Sequence, residues 1–135
     1  MPRILNRRLE ILYDLARQQA ECIVTCTLNF SKYELQQQVN HALQYKIICQ
    51  LFDASSGCNS RDELLHTYQL QVIPPTPTDS VNIVFDQVLP LSQLKKDLRK
   101  DEIYGLITVS NPSIDPRKLK KQTNTVESRL SVGNW

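Results

Sequence analysis

Four cysteines and two histidines are the side chains in this sequence best equipped for nucleophilic, redox or metal chemistry. Cys22 and Cys26 stand in one apolar run and Cys49 in a second, and neither His41 nor His66 lies at ligand spacing from a thiol. A tetrahedral zinc site needs ligand pairs on turns and a second pair to complete it. These three thiols therefore read as buried, reduced core residues, and no metal or cofactor is expected. Cys58 differs. It lies in the turn-rich run Ser55-Ser56-Gly57-Cys58-Asn59, ahead of a predicted helix start that would favour a thiolate, with His66 as a candidate base. An enzyme using Cys58 as nucleophile is one expectation; an ordinary loop cysteine accounts for the same residues. The chain contains no G-x-S-x-G, H-E-x-x-H, Walker A or G-x-G-x-x-G motif, and only three glycines from which to build a phosphate-cradling loop.

Charge is the second source of chemistry. The 135 residues carry 16 basic and 14 acidic side chains, too small an excess to imply nucleic acid by itself. The distribution matters more: residues 1–110 hold 11 basic and 12 acidic groups, whereas residues 111–135 hold five basic and two acidic. Lys95, Lys96, Arg99 and Lys100 form one basic cluster and Arg117, Lys118, Lys120 and Lys121 another. Together with Phe52, Tyr68, Phe85 and Tyr104 in or beside predicted strands, they support an expectation of RNA or single-strand binding. No RNA-recognition strand signature accompanies them. The 111–135 segment mixes its cations with Leu119, Leu130 and Trp135, a composition suited to folding onto a protein partner. Twelve glutamines, three of them consecutive at 36–38, add uncharged hydrogen-bonding surface.

The elements that would position these residues follow from hydrophobic period. Leu5, Leu9, Leu12 and Ala16 recur at helical spacing and predict an amphipathic helix over 3–20. Cys22, Val24, Cys26, Leu28 and Phe30 alternate with polar residues, predicting a half-buried strand. Ser31 and Glu34 fit a capping box, and Phe30 with Leu35 a hydrophobic staple, so a helix should start at once and run to about Gln44. Strands are predicted at 46–52, 68–72, 81–88 and 103–109, with short helices from Ser60 to about His66 and after Pro90. Two strand–helix–strand units, 22–52 and 81–109, suggest a five-stranded ferredoxin-like (split-βαβ) α+β domain with an added N-terminal helix. A ubiquitin-like or other small α+β roll is the alternative. The domain is expected to cover 1–110, with 111–135 a basic, flexible or partner-bound tail. No apolar run suits a signal peptide or a membrane span, so the cytoplasm or nucleus is the expected compartment.

With no assembled catalytic set, the leading functional expectation is a non-catalytic protein–protein interaction module, a subunit or adaptor of an intracellular assembly. Its contacts would come from Arg117, Lys118, Leu119, Lys120, Lys121, Leu130 and Trp135. Nucleic-acid contacts, if present, would come from Lys95, Lys96, Arg99 and Lys100.

Overall fold

The computed structural model describes residues 2–41, 44–54, 62–73, 79–94, 101–111 and 115–128. Alternation of buried and solvent-facing side chains dominates them, and the result is two antiparallel sheets packed face to face. The strands are β1 (Arg3–Asp14), β2 (Gln19–Asn29), β3 (Tyr45–Asp53), β4 (Glu63–Thr67), β5 (Gln71–Ile73), β6 (Ser80–Pro90), β7 (Asp101–Asn111), β8 (Asp115–Gln122) and β9 (Val126–Ser128). Helix α1 (Lys32–His41) follows β2, and the single turn α2 (Leu91–Leu94) follows β6. One sheet has the order β1-β2-β6; the other has the order β4-β3-β7-β8, with β5 also on β3 and β9 on β7. The chain crosses between sheets after β2, β5 and β6, so β2 and β6 are neighbours in one sheet while β3 and β7 are neighbours in the other.

This corrects the expected α+β fold. Every strand pairing is antiparallel, and the two strands of the 22–52 unit lie in different sheets, so neither a split-βαβ nor a ubiquitin-like arrangement holds. The expected helix over 3–20 is a hairpin. Its apolar spacing looked helical because β1 carries a bulge: Asn6 and Arg7 together face Cys26, between the pairs Leu5–Thr27 and Arg8–Thr25. The extra residue moves the inward series from Ile4 to Leu9, so strict alternation is lost. Leu12 and Ala16, on the expected helical stripe, are solvent-exposed. The expected helix ending near His66 is replaced by β4, whose Leu65 points into the core. Glu63 to Thr67 gain ladder bonds to β3 there, which a capping signal four residues long does not outweigh.

The strand and the helix start expected between Cys22 and Leu35 match. Cys22, Val24, Cys26, Leu28 and Phe30 are buried as expected, and Ala20, expected in the helix, extends that face of β2. The capping box forms as read: Ser31 N–H donates to Glu34 Oε1 at 2.8 Å and Glu34 N–H to Ser31 Oγ at 3.2 Å. Phe30 is buried against Tyr45, ring centroids 5.4 Å apart, and Leu35 packs on the same core. The expected domain limit at 110 falls inside β7, and β8 continues that sheet by pairing Ser110–Lys118 to Leu106–Gln122. Among the described residues no helix is long and apolar enough to cross a membrane.

Polar side chains fasten the two sheets to each other. Tyr68 Oη donates to the Cys22 carbonyl of β2 at 2.8 Å inside the core. Gln71 Nε2, on β5, donates to the Val84 carbonyl of β6 at 2.8 Å and bridges one open seam. At the other seam the Asn124 amide pairs with β1 as a neighbouring strand would: Leu9 N–H donates to Oδ1 at 2.7 Å and Nδ2 donates to Leu9 O at 3.2 Å. Asn124 is positioned by Thr123, whose N–H donates to Gly105 O and whose hydroxyl accepts from Gly105 N–H, both at 2.8 Å. A Cβ on Gly105 would lie 3.2 Å from Thr123 Cγ2 and 3.3 Å from Val24 Cγ2, so glycine is what lets the sheets approach here.

Candidate functional site

Three of the four thiols lie where burial disfavours the thiolate. Cys22, Cys26 and Cys49 are buried. Burial pushes Cys22 up to about 12 and Cys26 up to about 11, the latter against the opposing pull of the Arg7 guanidinium; burial raises Cys49 as well. His66 lies on β4 with its ring edge-on to Tyr68 at 5.0 Å, and burial lowers its pKa. Cys58 lies outside the described residues, as do Lys95, Lys96, Arg99, Lys100, Leu130 and Trp135. Among the described residues no group of three or more His, Cys, Asp or Glu is placed to hold a metal ion.

The second basic cluster is divided by the pleat of β8. Lys120 pairs with Thr108 on the outer face of its sheet, while the side chains of Arg117 and Lys118 lie outside the described residues. Leu119 and Lys121 oppose the buried Val109 and Ile107, so both leave β8 on its inner side. Leu119 packs against the core. Lys121 remains exposed at the rim. Facing this rim across the open seam is β1, the edge strand of the other sheet.

The β1 bulge builds the opposite wall. Asn6 adopts φ 53°, a left-handed conformation that asparagine tolerates better than most residues. With Asn6 and Arg7 both opposite the inward-facing Cys26, Arg7 is aimed at the seam, as its influence on the Cys26 thiol also indicates. Arg7 Nη1 donates to the Ile4 carbonyl at 2.9 Å, which holds the guanidinium at the edge of its own strand.

The result is a cleft of about 380 Å³ lined by Pro2, Arg3, Ile4, Leu5, Arg7, Leu119 and Lys121. Its floor is apolar and its rim carries three cations. Among the described residues no acid lines it, and none forms an ion pair with Arg3, Arg7 or Lys121. The Asn124–Leu9 pair closes the seam just beyond. Such a cleft can bind an anionic group and cover an aliphatic one. Of the expected partner-binding residues it gathers Leu119 and Lys121; Lys120 faces away. Arg3 and Arg7 were not expected, and the legible signal for them was the asparagine at the point where the Ile4–Leu9–Ile11 series skips a residue.

At the opposite seam a groove of about 500 Å³ runs along Tyr68–Gln71 and Val84–Gln87. It is crossed by the Gln71 bond to Val84 and holds a single charged residue among its described lining, Asp86. Beside it Glu21 is raised by its hydrogen bond to Asp86 and by the charges of Asp86 and Glu10, so this face of the sheet gathers acids.

No protein-family profile matches the chain, and no curated protein matches it in sequence. A likeness of fold is found with a solved structure. A glycosyl hydrolase family 2 member from Bacteroides cellulosilyticus superposes with a TM-score of 0.54 at 7% identity, over 86% of this chain and 14% of that one. β-Glucosidase 3B from Thermotoga neapolitana, in complex with α-D-glucose, gives 0.41 at 11% identity, over 94% of this chain and 17% of that one. The chain thus spans about a seventh of the hydrolase, and the likeness is one of fold.

Proposed function

We propose that this chain is a non-catalytic interaction domain, a subunit or adaptor that holds a protein partner in the cleft between β1 and β8. The observation that carries the reading is the unbalanced charge of that cleft: Arg3, Arg7 and Lys121 around an apolar floor, with no acid among the described residues to neutralise them. Unbalanced cations at a rim steer and select an oppositely charged partner, while an apolar floor supplies the buried contact that gives residence time. The raised thiol pKa values also favour a binding role over a nucleophilic one for the described cysteines.

The test is affinity purification of the chain from its own cells beside the double variant Arg7→Glu/Lys121→Glu. A stoichiometric protein partner retained by the wild type and lost from the variant is the expected result. A partner retained equally by both, or none retained by either, overturns the reading.

A further inference from the structure

We infer that the occupant of the β1–β8 cleft is an acidic peptide in extended conformation, added as a strand along the free edge of β8. The inference rests on the cleft being the docking site and names the chemistry of what docks there. Three observations select it.

The first is which edge is open. Beside the cleft the outer edge of β1 is engaged at two points, because Ile4 O accepts from Arg7 and both backbone groups of Leu9 are taken by Asn124. Strand β8 pairs with β7, and among the described residues no other strand takes up the backbone donors and acceptors of its second edge. Strand addition uses such an edge, with main-chain bonds supplying affinity and side-chain sites supplying specificity.

The second is charge. A strand laid along β8 on the seam side would run past Lys121 on one wall and Arg3 and Arg7 on the other. Acidic side chains complement all three. The Arg7 guanidinium, already held by the Ile4 carbonyl, loses little freedom on pairing. Leu119, Ile4 and Leu5 would cover the methylene stems of those acidic side chains, while the residues between them point out of the cleft.

The third observation separates peptide from nucleic acid, which is also anionic. Single strands are held by aromatic rings on which bases stack, and no aromatic residue is among the described lining of this cleft. The stacked pair Phe52–Tyr104, with centroids 5.7 Å apart, lies on the outer face of the β8 sheet, away from the cleft, where Tyr104 Oη donates to Asp62.

The experiment is fluorescence anisotropy with a labelled Glu-Val-Glu-Val-Glu-Val-Glu peptide. It is run beside the Gln-for-Glu analogue, the same peptide N-methylated at alternate amides, and a single-stranded RNA of matched charge. Proteins are the wild type, Arg7→Glu, Lys121→Glu and the remote control Lys46→Glu, each checked by circular dichroism for an unchanged fold. The acidic peptide should bind one to one, more weakly as ionic strength rises. Arg7→Glu and Lys121→Glu should each weaken it about tenfold, as expected for reversing a rim charge that faces acids, and Lys46→Glu should leave it unchanged. The analogue, the methylated peptide and the RNA should all bind at least about tenfold more weakly than the acidic peptide. Equal binding of the Gln analogue, indifference to N-methylation, or tighter binding of RNA each overturns the inference. If it fails here while charge reversal still strips a partner in cells, the docking reading survives and the acidic strand does not. If both fail, the cleft is not the site.

Discussion

Replacing Asn124 with alanine should cost this protein about 1–3 kcal/mol. Asn124 makes two hydrogen bonds to the backbone of Leu9, 115 positions away in sequence, and these tie the edge of one sheet to the other sheet. A neutral hydrogen bond contributes about 0.5–1.5 kcal/mol net, so two give that range. The substitution also strands the Leu9 amide beside a side chain only 2% exposed, which pushes the cost upward; the exposure of Asn124 itself admits water and pulls it back. Against a domain stability of about 5–15 kcal/mol the loss is large enough to read in urea melts with an unchanged slope. Hydrogen exchange supplies a local readout: the Leu9 amide should be protected in the wild type and exchange faster in Asn124→Ala. Asn124→Asp keeps an acceptor for that amide but sets a second oxygen against Leu9 O, so it should retain protection without restoring full stability. Gln122→Ala, at an exposed position nearby, should stay within about 0.5 kcal/mol of wild type. If Asn124→Ala melts with Gln122→Ala and leaves Leu9 protected, the side-chain bridge does not hold the seam and this account of the cleft's closed end is wrong.

Three further outcomes follow from the core. Phe30→Ala should lose about 3–5 kcal/mol, because it empties a buried site against Tyr45, whereas Ser31→Ala should lose about 0.5–2 kcal/mol, the value of a helix cap; denaturant melts of the pair check the order. Tyr68→Phe removes one buried hydroxyl and leaves the Cys22 carbonyl without that donor, for a loss of about 1–3 kcal/mol by the same melts. Burial raises the folded pKa of Cys22 and Cys26 above the ordinary 9.0, so the folded state keeps protons the unfolded state gives up. That stabilisation is fully present below pH 9.0 and declines as pH rises through about 11 and about 12; alkaline melts should show the fall there, and iodoacetamide at neutral pH should not modify these thiols until the chain unfolds.

Local chemistry was largely legible in the sequence, and pairing was not. The alternation of Cys22 to Phe30 and the Ser31–Glu34 box are contained in a few neighbouring residues, and both appear as read. The N-terminal hairpin was hidden by one residue: the bulge at Asn6–Arg7 shifts the apolar phase, and leucines at 5, 9 and 12 then imitate a helix. β8 contains Pro116, follows Pro112 and carries three lysines, which read as tail, yet it pairs with β7 and packs its inward Leu119 on the core. A strand at a sheet edge tolerates such a polar composition because only one of its faces and one of its edges must be satisfied. The cleft was half legible for the same reason. Leu119 and Lys121 were singled out for their charge and spacing, whereas Arg3 and Arg7 join them only through contacts between opposite ends of the chain. Four of the glutamines supply donors to carbonyls: Gln18 to Leu15, Gln71 to Val84, Gln87 to Val88 and Gln93 to Leu65.

The most direct measurement is a nuclear magnetic resonance titration of the isotope-labelled chain with the acidic Glu-Val peptide. An occupant seated in the cleft predicts amide shift changes concentrated at Arg3–Arg7 and at Leu119–Lys121, abolished in Arg7→Glu/Lys121→Glu. Changes gathered instead along β6 and the Tyr68–Gln71 groove, or none at saturating peptide, would contradict it.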